Sequence, residues 1–432
     1  MIEYATCSRH SACACFRRPA PSNSSICVDQ FLLSCSELVQ CEVSNNNCNE
    51  PEHVCVNHYR CHSFPICYPV PSFNEQLCPS TSKSTTESAT SRKNTLGTST
   101  TASTATTTSA SATSTTTQQR ITLLHGSSTD IHPNATWKQN GLTVAGGNGQ
   151  GNRTNQLSSP WGLYVDDDQT VYIADQQNRR IVEWKLGATN GQVVAGGNGH
   201  GSGAHQLSQP LNVIVDKEGN SLIICDSSNA RVVRWPRRNG ISGETIISNI
   251  NSVGLTMDEN ESLYVVDNSK NQVRRYQRGE SQGTVVAGGN GGGNRLDQLS
   301  NPHYVFVDRD HSAYVSERGN HRVIKWMEGA KQGIVVAGGH GQGNNLMQLS
   351  DPQGVIVDQL GTVTVADAGN HRIMRWLKGA TQGSVIVGGK DRGEQSSQLN
   401  GPSGLSFDQH GNLYVVDCYN HRVQKFNIEF NG

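Results

Sequence analysis

A chain of 432 residues has room for one large domain and something smaller. Its net charge of −1, from 35 Lys and Arg against 36 Asp and Glu, supplies no field that calls for nucleic acid or an anionic membrane. Glycine is abundant at 45 residues, aromatics are scarce at 6%, and no run of 18 apolar residues occurs, so no integral membrane segment is expected.

Residues 1–79 form the first territory. Eleven of the thirteen cysteines lie between Cys7 and Cys78, evenly spaced from Cys27 through Cys35, Cys41, Cys48, Cys55, Cys61 and Cys67. A polar segment this small buries too little apolar surface to hold itself, so disulfides are the expected support. Their density points to an extracellular or cell-surface setting. The opening residues, MIEYATCSRH, lack a basic stretch followed by an apolar run and do not read as a signal peptide, which keeps a cytoplasmic location as the alternative. Zinc competes with disulfides because His10, His53, His58 and His62 sit among the cysteines. However, the one close pair, Cys13 and Cys15, does not have the C-x2-C to C-x4-C spacing of structural zinc sites. Connectivity cannot be read from spacing, and an odd count leaves one cysteine over.

Residues 80–120 read as a disordered linker. Positions 80–117 hold 26 Ser or Thr in 38 residues, which leaves nothing to form a core. The composition resembles an O-glycosylated stalk without its proline. Sequons at Asn23, Asn134, Asn152 and Asn260 are compatible with a glycoprotein.

Residues 121–432 repeat. The stretches ADQQNRRIVEW, CDSSNARVVRW, VDNSKNQVRRY, SERGNHRVIKW, ADAGNHRIMRW and VDCYNHRVQKF end at Trp184, Trp235, Tyr276, Trp326, Trp376 and Phe426, at intervals of 51, 41, 50, 50 and 50 residues. Six copies define a repeat array. One unit divides into GVIVD at 354–358, TVTVAD at 362–367, HRIMRW at 371–376 and SVIVGG at 384–389. Alternating β-branched residues punctuated by Gly, Asn and Asp make these four short strands. Four strands per unit, repeated radially, predict an all-β, six-bladed β-propeller of four-stranded blades. The sixth unit supplies strands near 404–408, 413–417 and 422–426 and then the chain ends. Its fourth strand is found at the other end of the array, as GLTVAGG at 141–147, so an N-terminal strand is expected to complete the last blade.

The pattern P-x-G-V-x-V-D followed by V-Y-V-A-D-x-x-N-H-R-V resembles the NHL repeat across residues 141–427. Its matches are clearest at Asn320-His321-Arg322-Val323, Asn370-His371-Arg372-Ile373 and Asn420-His421-Arg422-Val423. That resemblance implies a propeller and leaves residues 1–120 unassigned.

An acid and an arginine recur five positions apart: Asp175 with Arg180, Asp226 with Arg231, Glu317 with Arg322, Asp367 with Arg372, and Asp417 with Arg422. A mechanism needs one asymmetric site, so these near-copies read as structural strand pairs and no catalytic residue is assigned. The terminal aromatics Trp184, Trp235, Tyr276, Trp326, Trp376 and Phe426 read as blade-packing residues for the same reason. Glycine-rich loops such as AGGNGHG at 195–201 lack the Lys-Ser/Thr of a phosphate cradle and read as blade-to-blade connections.

Specificity should lie where the repeats disagree. The two positions after the recurring proline hold Trp161, Asn212, His303, Tyr304 and Gln353 as their distinctive members, and these are the candidate ligand-binding residues at one mouth of the central channel. Peptidyl-amidoglycolate lyases, propellers similar to this family, use zinc held by three histidines; Asn301-Pro302-His303 resembles one such position, and the other blades supply no partners. Other family members resemble RNA-binding or ubiquitin-ligase scaffolds, but the cysteines here lack the paired rhythm of a RING module. The expectation is a non-catalytic recognition or scaffold protein that binds a protein or glycan partner, with no metal and no cofactor. RNA is possible but not favoured, and the oligomeric state is open.

Overall fold

The computed structural model describes residues 131–429 and the backbone of five short strands nearer the N-terminus. The chain divides into two compact units, Met1–Thr113 and Ser114–Gly432. In the first, Cys13–Arg17 pairs with Ser25–Asp29, and Ile66–Pro69 lies between Val39–Gln40 and His53–Val56. The register sets the backbone of Cys15 opposite Cys27 and that of Cys55 opposite Cys67. The pairing of the cysteine side chains, the zinc alternative and the Ser/Thr-rich linker lie outside the described residues.

The second unit is an all-β propeller of six four-stranded antiparallel sheets. Blade five is typical, with Pro352–Val357 innermost, then Val363–Asp367, Arg372–Trp376 and Ser384–Gly388. Its first three strands are buried along their whole lengths, whereas Ser384 and Val385 on the outer strand are exposed. Strands buried on both faces need continuous apolar runs rather than alternation, as in LYVV at 263–266 and 413–416, whereas the buried Arg372 and Arg375 of RIMRW are hydrogen-bonded. The innermost strands of neighbouring blades pack side by side around the axis, and that of blade six meets that of blade one.

Two pairings close the ring. Leu142–Gly146 is hydrogen-bonded to Arg422–Phe426 and completes blade six. Beyond it, Thr136–Trp137 pairs with Ile428–Glu429, a second closure that the repeat pattern did not announce. Trp137 is fully buried there, donates its indole N–H to Gly411 O at 3.0 Å and stacks on Phe407 at 5.8 Å.

Candidate functional site

In five blades an acid–arginine pair ties the blade to the loop before it. Asp367 ends a second strand directly opposite Arg372, which begins the third. Arg372 Nε donates to Asp367 Oδ2 at 2.7 Å, Asn370 Nδ2 donates to the same oxygen at 2.8 Å, and the N–H of Ser350 donates to Oδ1 at 2.6 Å. The rest of the guanidinium donates to Asn344 O, Asn345 O and Gln348 O, and Asn370 also donates to Gly343 O. One buried pair therefore ties the preceding glycine-rich loop to its blade. Burial pushes the carboxyls of Asp175, Glu317, Asp367 and Asp417 up, and their hydrogen bonds and arginine partners oppose it. The Asp175–Arg180, Asp226–Arg231 and Asp417–Arg422 pairs close at 2.7, 2.9 and 2.8 Å, and Glu317 pairs with Arg322 in the same way.

In four blades the residue just before the third strand reaches forward instead. His371 sits in the left-handed region, and its Nδ1 accepts from the N–H of Gly401 in blade six at 3.1 Å. His421 does the same for Ser159 of blade one at 3.1 Å, and Asn271 accepts from the N–H of Asn301 at 2.9 Å.

Blade three explains its own irregularity. Only three residues separate Ser248 from Ser252, so no glycine-rich loop precedes this blade. Without loop carbonyls to bind, the Asn and Arg positions hold Lys270 and Gln272, and Gln272 makes only a 3.4 Å bond to Asp267. The forward-reaching Asn271 is kept.

At the channel mouth, each innermost strand begins with a break in register, as between Pro302 and Tyr304 or Pro352 and Val355. Such a bulge frees side chains from the ladder and re-aims them. In four blades the bulge holds glycine because the neighbouring backbone is too close: a Cβ on Gly254 would lie 2.3 Å from His303 O. Asn212 and Tyr304 depart from that rule.

Tyr304 Oη donates to Trp161 O at 3.1 Å, and Ser403 Oγ donates to the same carbonyl at 2.7 Å. The Trp161 and His303 rings lie 6.3 Å apart, tilted by 49°. His303 Nδ1 lies 3.1 Å from Gln353 Oε1, and its Nε2 lies 3.4 Å from Arg318 Nη1; Arg318 in turn pairs with Asp351. Arginine has only donors, so Nε2 must accept and the proton sits on Nδ1, donated to Gln353. Burial and then Arg318 lower the His303 pKa to about 4, so the imidazole is neutral at pH 7.

Asn212, His303, Tyr304 and Gln353 are buried, whereas Trp161 is partly exposed and its indole N–H has no partner. Trp161, His303, Tyr304 and Gln353 thus come together. This arrangement offers stacking and hydrogen bonding but no proton relay. No three His, Cys, Asp or Glu side chains cluster to hold a metal among the described residues. The sequence reading overlooked Arg318 and Asp351; the signal was Arg318 itself, set where blades five and six carry Ala368 and Cys418.

It also passed over the acid that ends each innermost strand. Asp308 Oδ1 accepts from the N–H of Ser312 at 2.9 Å, while Oδ2 meets Tyr314 Oη at 3.1 Å and Lys325 Nζ at 2.9 Å. Asp258 likewise caps its turn at Ser262. These acids anchor the opposite end of the blades from the mouth.

A model of the NHL repeat matches residues 399–426. These residues, the first three strands of the last blade, are an NHL repeat. No curated protein matches the chain. Among solved structures, it is similar to a protein of unknown function from Bacteroides thetaiotaomicron, at 16% identity and TM-score 0.55 over 67% of this chain and 76% of that one. An auxiliary nutrient binding protein from the same organism matches at 16% and 0.54, over 67% and 76%. Another of that name, from Bacteroides ovatus, matches at 14% and 0.52, over 68% and 78%. At such identities the likeness is one of fold.

Proposed function

We propose that this NHL-type propeller is a non-catalytic recognition module that takes a protein or glycan partner at the mouth around Trp161 and His303. The observation that carries this reading is the Trp161 ring: partly exposed although its own N–H is buried, and set beside a neutral imidazole where the repeats disagree. Tyr304, Gln353 and Asn212, being buried, hold that surface in place more than they offer contacts. The names of two similar structures, both nutrient binding proteins, agree with a binding role in general.

The N-terminal region is, on this reading, a disulfide-stapled extracellular head on a Ser/Thr stalk. The backbone registers of Cys15 with Cys27 and Cys55 with Cys67 support it, since directly opposed residues are close enough to crosslink. No helix among the described residues is long and apolar enough to cross a membrane. An RNA-binding reading gains little, because Arg237 is paired with Asp166, Arg275 with Glu328 and Arg278 with Glu261.

Screening the full chain on arrays of extracellular glycans and of displayed peptides tests the reading. Hits that Trp161→Ala and His303→Ala remove, at unchanged melting temperature, support it. Hits that both variants keep would place recognition elsewhere.

A further inference from the structure

The groove that holds Trp137 has a counterpart one blade earlier. Trp137 and its segment touch Arg375, the Ile386 carbonyl side, Phe407 and Gly411, between blades five and six. Fifty residues back in the repeat stand Lys325, Val336, Val357 and Gly361, and all four line one cleft between blades four and five. That cleft is about 800 Å³, against 420 and 230 Å³ for those between blades one and two and blades two and three.

Three of the other junctions are bridged by side chains. Arg237 lies over Tyr172 and pairs with Asp166 between blades one and two. Glu328 reaches Arg275 across the third, whereas at the second Arg278 pairs with Glu261 of its own blade. Lys425 meets Gln169 between blades six and one. At the fourth junction Lys325 turns back to Asp308 and Tyr314 of its own blade and leaves the space open. Two exposed apolar side chains stand at its edge, Ile334 at 54% and Leu377 at 43% exposure. Ile334 stands where four other blades carry Gln192, Glu244, Thr284 and Ser384, and blade six carries Leu142.

We propose that the cleft between blades four and five docks an extended, tryptophan-bearing segment of a partner protein, as the equivalent groove docks Ile131–Trp137 of this chain. The indole would stack between Val357 and Lys325 and donate its N–H to Gly361 O, the counterparts of Phe407, Arg375 and Gly411. This site lies at the opposite end of the blades from the mouth and does not depend on it.

The probe is a labelled synthetic peptide of residues 131–139, IHPNATWKQ, titrated to about 1 mM into the full-length protein by fluorescence anisotropy. Saturable binding is expected. It should weaken at least about tenfold when the peptide tryptophan becomes alanine, and equally with Ile334→Asp or Leu377→Asp, whose exposed positions leave folding intact. Val285→Asp, exposed on the outer strand of blade three, should change nothing. No saturation, equal binding of the alanine peptide, or full binding by both rim variants would overturn the proposal. The last result would mean that the peptide merely displaces the resident segment between blades five and six.

Discussion

Tyr304 and Trp161 meet across the propeller axis: the phenol of blade four donates to the main-chain carbonyl of the opposite blade, blade one, at 3.1 Å. The same carbonyl accepts from Ser403 Oγ, so either donor alone keeps it satisfied. Tyr304→Phe or Ser403→Ala should each cost about 0.5–1.5 kcal/mol, and the double variant more than their sum, because a buried acceptor would then be left bare. Chemical denaturation of the four proteins measures this. Strict additivity would show that the two bonds do not share a load.

The arginine framework makes an opposed pair of expectations. Asp367→Ala should cost about 3–5 kcal/mol, since it strands a buried guanidinium. Gln272→Arg, which restores the repeat consensus in blade three, should destabilise by about 1–3 kcal/mol, because no loop carbonyls await its remaining donors. Thermal melts decide it, and a stabilised Gln272→Arg protein would refute the link between missing loop and missing arginine.

Acid should loosen the mouth. The folded pKa of His303 is about 4, below its unfolded value of roughly 6.5. The unfolded chain therefore takes the proton first, so this stability is full above pH 6.5 and is lost as pH falls toward 4, on the order of 3 kcal/mol. His371 and His421 are lowered in the same sense, chiefly by burial, and protonation at Nδ1 would break their bonds to Gly401 and Ser159. His303→Gln should show a smaller drop in Tm between pH 7 and pH 4.5 than the parent protein. The raised carboxyls work in the opposite direction but cancel in that comparison. Identical pH profiles would contradict the burial of a neutral imidazole beside Arg318.

Ring closure rests on Trp137 as well as on strand pairing. Trp137→Ala removes a fully buried indole, its bond to Gly411 and its contact with Phe407, and should cost about 3–5 kcal/mol. Hydrogen exchange at 422–426 should accelerate in step. Unchanged exchange would mean that Leu142–Gly146 closes the ring alone.

The propeller was legible because its strands are short, β-branched and evenly spaced, and counting them located the closing strand at the far end of the chain. The second closure was not, since a two-residue pairing carries no period. Its one trace was Trp137, a tryptophan off the repeat position. At the mouth, the residues that differ between blades could be read. Their depth could not, because it is set by six strands converging with a bulge at each entry. The sequence likewise shows the short interval before blade three and Gln272 as two separate irregularities, and only the carbonyls around Arg372 reveal them as one. Arg318 and Asp351 escaped notice because their pairing joins loops 33 residues apart.

Hydrogen–deuterium exchange of the full chain with and without its strongest array ligand tests recognition at the mouth most directly. The account predicts protection concentrated at residues 159–163, 301–304, 318 and 351–354. Protection confined to the outer strands or the inter-blade cleft, with the mouth unchanged, would contradict it.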